Sequence, residues 1–113
     1  MMIIETVRNF LLNELKCPVV MEQQPKMPDK FVLIEQSGSG KHNHLISTTI
    51  IFQSYDKTLY KTAVLNEDVK NAVEKLIELD DVVSVSLNSD YIFTDTENKK
   101  HRYQAVFDIK HYQ

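Results

Sequence analysis

The run Leu45–Tyr55, LISTTIIFQSY, constrains this chain more than any other stretch. Ile46, Thr48, Ile50 and Phe52 alternate with Leu45, Ser47, Thr49 and Ile51, and such a β-branched series crowds a helix but suits a pleated strand. The chain must therefore contain a sheet, and its other segments are neighbours or cover for it.

Upstream, KFVLIEQ places Phe31 and Leu33 on one side and Val32 and Ile34 on the other, the pattern of a strand covered on both faces. A shorter strand is expected over Val19–Gln23, and the two prolines of QPKMPDK make the link between them a turn. Before these, Ile3, Ile4, Val7, Phe10, Leu11 and Leu15 recur at three and four, which predicts a helix from about Ile3 to Lys16, stopped ahead of Pro18.

After the central strand, Asp56 is expected to cap a second helix carrying Leu59, Ala63, Val69, Val73, Leu76 and Ile77 on helical spacing to about Leu79. Asp80 and Asp81 sit badly at the negative end of that helix and mark its exit. The last third predicts a hairpin with Val83, Val85 and Leu87 on one face of the rising strand. It turns at Thr96–Lys100 and returns with Tyr103, Ala105, Phe107 and Ile109 in one row. Arg102, Gln104, Asp108 and Lys110 fill the opposite row, which must face water or another chain.

The element order is α-β-β-β-α-β-β, an α+β fold in which two helices cover one face of a mostly antiparallel sheet of about five strands. The connections favour an antiparallel meander followed by a hairpin, within a single domain spanning 1–113. At 113 residues, such a domain buries enough surface to dispense with disulfides or a structural metal. The one cysteine, Cys17, has no internal partner and points to a reducing compartment. Glu5 and Arg8 interrupt the apolar amino terminus, so no signal peptide is expected, and no stretch approaches the ~18 apolar residues of a membrane span. A formal charge of −3 with scattered basic residues argues against an electrostatic nucleic-acid binder.

The segment Ser37–Leu45, SGSGKHNHL, carries three apparent motifs. A phosphate loop needs a glycine five residues before that of its Gly-Lys pair and a hydroxyl after the lysine. Glu35 and His42 occupy those places, and the segment leads into a strand instead of a helix. His42 and His44 would share one side of an extended backbone and could hold an ion between them, but a zinc site wants three or four ligands and His101, His111 and Asp95 lie in the distant hairpin. The adjacent His-Asn-His letters lack the spread of the nuclease motif. With Gly38 and Gly40 as the only glycines, no nucleophile elbow or oxyanion pattern exists, so no catalytic residue, metal or cofactor is expected. The segment is expected to be a flexible insertion between strands that orders against a neighbour.

Three stretches carry a family likeness: FVLIEQSGSGKHNH, IIFQSYDKTLYKTAVLNEDVKNAV and LNSDYIFTDTENKKHRYQAVFDI. They resemble small proteins of tailed bacteriophages and of prophages of Gram-positive bacteria, described as minor capsid or head-tail completion proteins, and look like members of the tail terminator group. The likeness runs from Val20 onward. It implies a homohexameric ring on the head-proximal end of the tail tube that stops tube polymerisation and meets the neck proteins, hence a virion protein assembled in the host cytoplasm. It supplies no catalytic residues, metal or cofactor.

A ring needs a heterologous interface. Candidate patches are the loop Ser37, Gly38, Ser39, Gly40, Lys41, His42, Asn43 and His44; the pair Tyr91 and Phe93; and the row Arg102, Gln104 and Asp108. Aromatic residues placed like Tyr91 and Phe93 are more often core than contact. Six copies multiply the formal −3, so an acidic lumen would let DNA pass without a sticky site. The competing expectations are another neck component, a stopper or adaptor, and, from a different class, a small metal-dependent enzyme using His42 and His44.

Overall fold

The computed structural model describes residues 2–112. Helix α1 spans Ile3–Leu15 and buries Val7 and Leu11 completely. Its first turn is closed by Glu5, whose Oε1 accepts from the Met2 N–H at 3.1 Å. It ends where Lys16 takes a left-handed conformation with φ 56°, two residues before Pro18. The reading of this helix from apolar spacing holds to within a residue.

Strand β1 is only Val19–Val20, shorter than expected, and it pairs parallel to β2 (Phe31–His42) through Val19↔Val32 and Val20↔Leu33. The expected antiparallel meander is therefore corrected at its first step. The intervening segment 21–30 brings the chain back to run in the same direction, as a tight turn cannot. Strand β3 (Leu45–Asp56) pairs antiparallel with β2, helix α2 (Leu59–Glu74) crosses the sheet, and a 3₁₀ turn (Lys75–Glu78) leads towards β4 (Val82–Ile92) and β5 (His101–Tyr112). The strands lie in the order β1-β2-β3-β5-β4, with every pair after the first antiparallel.

The segment expected to be a flexible insertion is instead sheet. β2 continues through Ser37–His42 in ladder with β3, Gly38 opposite Thr49 and His42 opposite Leu45, after one bulge between Gln36 and Gly38. Serine and glycine bring few anchoring side chains, yet backbone hydrogen bonds to the β-branched partner strand need none. Only Asn43 and His44 form the turn, with φ 49° and 68°. Two successive positive φ values define the tight hairpin turn that matches strand twist. They also remove the premise that His42 and His44 sit on one side of an extended strand.

Two further expectations are corrected in detail. The cap of α2 is Thr58, whose Oγ1 accepts from the Lys61 N–H at 3.1 Å, while Asp56 takes only the N–H of Lys57 at 2.7 Å. In β4 a register shift between Val82 and Ser84 puts Val82 and Val85 towards the helices and leaves Val83 41% exposed, so Val83 leaves the row assigned to it.

The core lies between the helices and one sheet face. Ile34, Ile50, Phe52, Ala105, Phe107 and Ile109 meet Val7, Leu11, Leu65, Val69, Val73 and Leu76, all at most 2% exposed. Phe52 and Phe107 pack edge to face at 5.8 Å. Apart from Ala105, each of these side chains contributes about 1.5–3 kcal/mol by leaving water. Both helices are spent on this one face, so among the described residues no helix lies over the opposite face of β3, β5 and β4.

Candidate functional site

The helix-free face is built from every second residue of each strand, and cross-strand registry sorts its side chains into rows. At one end Phe31 and Tyr55 stack at 4.4 Å and 10°, both 1% exposed. The segment before β2 contributes Gln23, whose Nε2 donates to the Tyr55 hydroxyl at 3.4 Å. Arg102 donates from Nη1 to the same hydroxyl at 3.1 Å and from Nε to the Phe93 carbonyl at 2.7 Å. Its guanidinium lies over the Phe93 ring.

In the next row Gln53 donates to Gln104 Oε1 at 2.9 Å, and Gln104 donates to the Tyr91 hydroxyl. Tyr91 meets Phe93 edge to face at 5.9 Å. Further along, Asp108 accepts from Thr49 Oγ1 at 2.6 Å and from Asn88 Nδ2 at 3.0 Å. Those two bonds hold its carboxyl below the usual aspartate value. Asp95, near the hairpin turn, is held low by Asn98 in the same way.

The structure thus brings Tyr91, Phe93, Arg102 and Gln104 into one cluster, and Asp108 lies two rows away on the same face. Gln104 is only 7% exposed, so the row expected to face water is largely occupied with its neighbours. Gly38 belongs to the row of Thr49 and Asp108, and Gly40 to that of Ser47 and Lys110. A Cβ on either glycine would meet nothing within 4 Å, so the sheet surface is bare there. His42 and His44 are at the far end, and His42 Nε2 has Asn43 Nδ2 at 3.3 Å. Among the described residues no three His, Cys, Asp or Glu side chains gather as metal ligands.

Reasoning from sequence missed Phe31, Tyr55, Gln53 and Thr49 as members of this surface. The alternate row of β3 carried the signal, since β3 pairs on both sides and its outward residues become the centre of the face. It also missed a groove of about 700 Å³ on the helix side, beyond the start of α1, with Ile3, Ser39, Ile46 and His111 among its walls. On that side Lys70 donates to Asp90 at 2.5 Å and pairs with Glu67 at 2.9 Å, which raises its pKa, while Asn66 donates to Asp90 at 2.8 Å. No described helix is long and apolar enough to cross a membrane.

No family model and no curated protein sequence matches this chain. Among solved structures, a chain from the virion of a native gene transfer agent particle shares its fold with a TM-score of 0.63. The alignment covers 91% of this chain and 84% of that one at 10% identity. At that identity the likeness speaks to the fold alone.

Proposed function

We propose that this chain is a structural protein of a phage-like particle, working as repeated copies in a ring on the head-proximal end of the tail tube. There it ends tube polymerisation and joins the tail to the neck. The observation that carries the reading is the fold shared, over 91% of the chain, with a protein of an assembled virion. The resemblance of the stretches around Gln53–Tyr60 and Asp90–Asp108 to tail terminator proteins supports the position within the particle. In this reading the partners are further copies of the chain, the tail tube protein and a neck protein. The residues of Ser37–His44 together with Tyr91, Phe93, Arg102, Gln104 and Asp108 form the contact surfaces, and none acts in catalysis. DNA passes through without a specific site, in keeping with the formal charge of −3 per copy.

Electron microscopy of particles produced with and without this protein tests the role. Tubes that run beyond their normal length and lack heads are the expected result of its absence. Tubes of normal length beside heads that have lost their DNA would instead place the protein as a stopper.

A further inference from the structure

We infer that copies of this chain join edge to edge, with Gly38–His42 of one copy pairing antiparallel to Ser89–Phe93 of the next, Gly40 opposite Tyr91 and Lys41 opposite Asp90. The inference rests on the assembly reading above and names the surface that would carry it.

Among the described residues the sheet has two open edges. β1 covers β2 only at Val32 and Leu33, and β4 pairs with β5 on one side alone. Bulges bound the usable stretch of each edge: one lies between Gln36 and Gly38, another between Leu87 and Ser89. What remains on each is a regular run of five residues.

The two runs match in hydrogen-bonding phase. Phe93 donates its N–H to the Arg102 carbonyl at 2.8 Å, so Phe93 and Tyr91 bond towards β5 while Asp90 and Ile92 direct their backbone groups outward. The tight turn closes on His42↔Leu45, so His42, Gly40 and Gly38 bond towards β3, and Ser39 and Lys41 point out. With Lys41 opposite Asp90, outward groups meet outward groups.

They match in facing as well. Directly opposed residues share a face, and Gly38, Gly40, Tyr91 and Phe93 all belong to the helix-free one. Tyr91, 43% exposed, would lie across the bare backbone of Gly40, a contact known to protect glycine in strands. On the other face Lys41 comes opposite Asp90, whose carboxylate already accepts from Lys70 and Asn66 of its own chain, so the match there is of backbone phase and not of charge. Ile92, 51% exposed, comes opposite Ser39 at the wall of the helix-side groove, near Ile3.

The same pairing repeats head to tail, because one copy's β4 edge meets the next copy's β2 edge and leaves the same two edges at the ends. Gly40 shares its row with Lys110 and Tyr91 shares its row with Gln104, so each copy steps six residues along β5. That is ~20 Å of stagger across four strands about 19 Å wide, a tilt of about 45°, near the range at which sheets close on themselves.

Single cysteines in a Cys17→Ser background test the register. His42→Cys and Ser89→Cys would face each other at a non-hydrogen-bonded pair, where Cα atoms about 4.5 Å apart accept a disulfide. Under mild oxidation the equimolar mixture is expected to yield at least tenfold more covalent dimer than either variant alone. The double variant should yield a ladder ending at the subunit number of the ring. Equal linking in a single variant would mean a twofold contact and overturn the pairing, as would no link in the mixture. In the latter case sedimentation of the unmodified protein separates the causes: an oligomer leaves the assembly reading standing with its interface elsewhere, and a monomer removes both.

Discussion

The guanidinium carbon of Arg102 lies 4.3 Å from the centroid of the Phe93 ring, while its Nε donates to the carbonyl of the same residue. One side chain thereby ties the end of β4 to β5, and through the Tyr55 hydroxyl to β3. A planar, forked cation can do this and an ammonium cannot. Arg102→Ala is expected to lower stability by about 2–3 kcal/mol, with Arg102→Lys recovering less than half of it. Urea unfolding of the three proteins checks this, and full recovery by lysine would reduce the arrangement to a simple charge.

Asp108 owes its lowered pKa first to Thr49 and then to Asn88. A carboxyl that is more acidic folded than unfolded adds stability above its ordinary value of 3.8, and loses it as the pH falls through the lower folded value. Thr49→Val should therefore move the Asp108 titration upward and flatten the acid limb of stability against pH. Carbon-detected NMR titration gives the reading, with Asp95 as an unmoved control because its partner is Asn98.

The Asn43-His44 turn holds two residues in the left-handed region, and His44 lacks the freedom for it that glycine has. His44→Gly is expected to stabilise the protein by about 0.5–1 kcal/mol, since Asn-Gly is the favoured pair for this turn. His44→Val should destabilise it. If thermal melts show both substitutions to be neutral, Ser37–His42 is not held in the ladder described.

Thr58 and Asp56 offer a contrast at the start of α2. Thr58→Ala removes the bond to the Lys61 N–H and is expected to cost about 1 kcal/mol. Asp56→Ala touches only the N–H of Lys57 and should cost less. Denaturation of the two variants side by side checks the order.

Much of the fold was legible because periodicity depends on neighbours along the chain. The three-and-four spacing of Val7, Phe10 and Leu11 and the alternation through Ile50 and Phe52 each require one kind of element. The site was less legible. Arg102, Gln104 and Asp108 were identifiable as an outward row, but their partners Tyr55, Gln53 and Thr49 come from a strand about fifty residues away. Which strand lies beside which is not a local property. Ser37–His42 misled for a related reason: its composition describes a chain in water, whereas its conformation is set by the strand it pairs with.

By itself, then, the sequence determined the order of the elements and the face buried by the two helices and by the central strand, since backbone sterics and apolar spacing act over a few residues. Only the tertiary structure decided the order β1-β2-β3-β5-β4, the parallel entry of β1 and the bulges that phase the two open edges. Those depend on backbone hydrogen bonds between distant segments, and a backbone amide has the same chemistry at nearly every position.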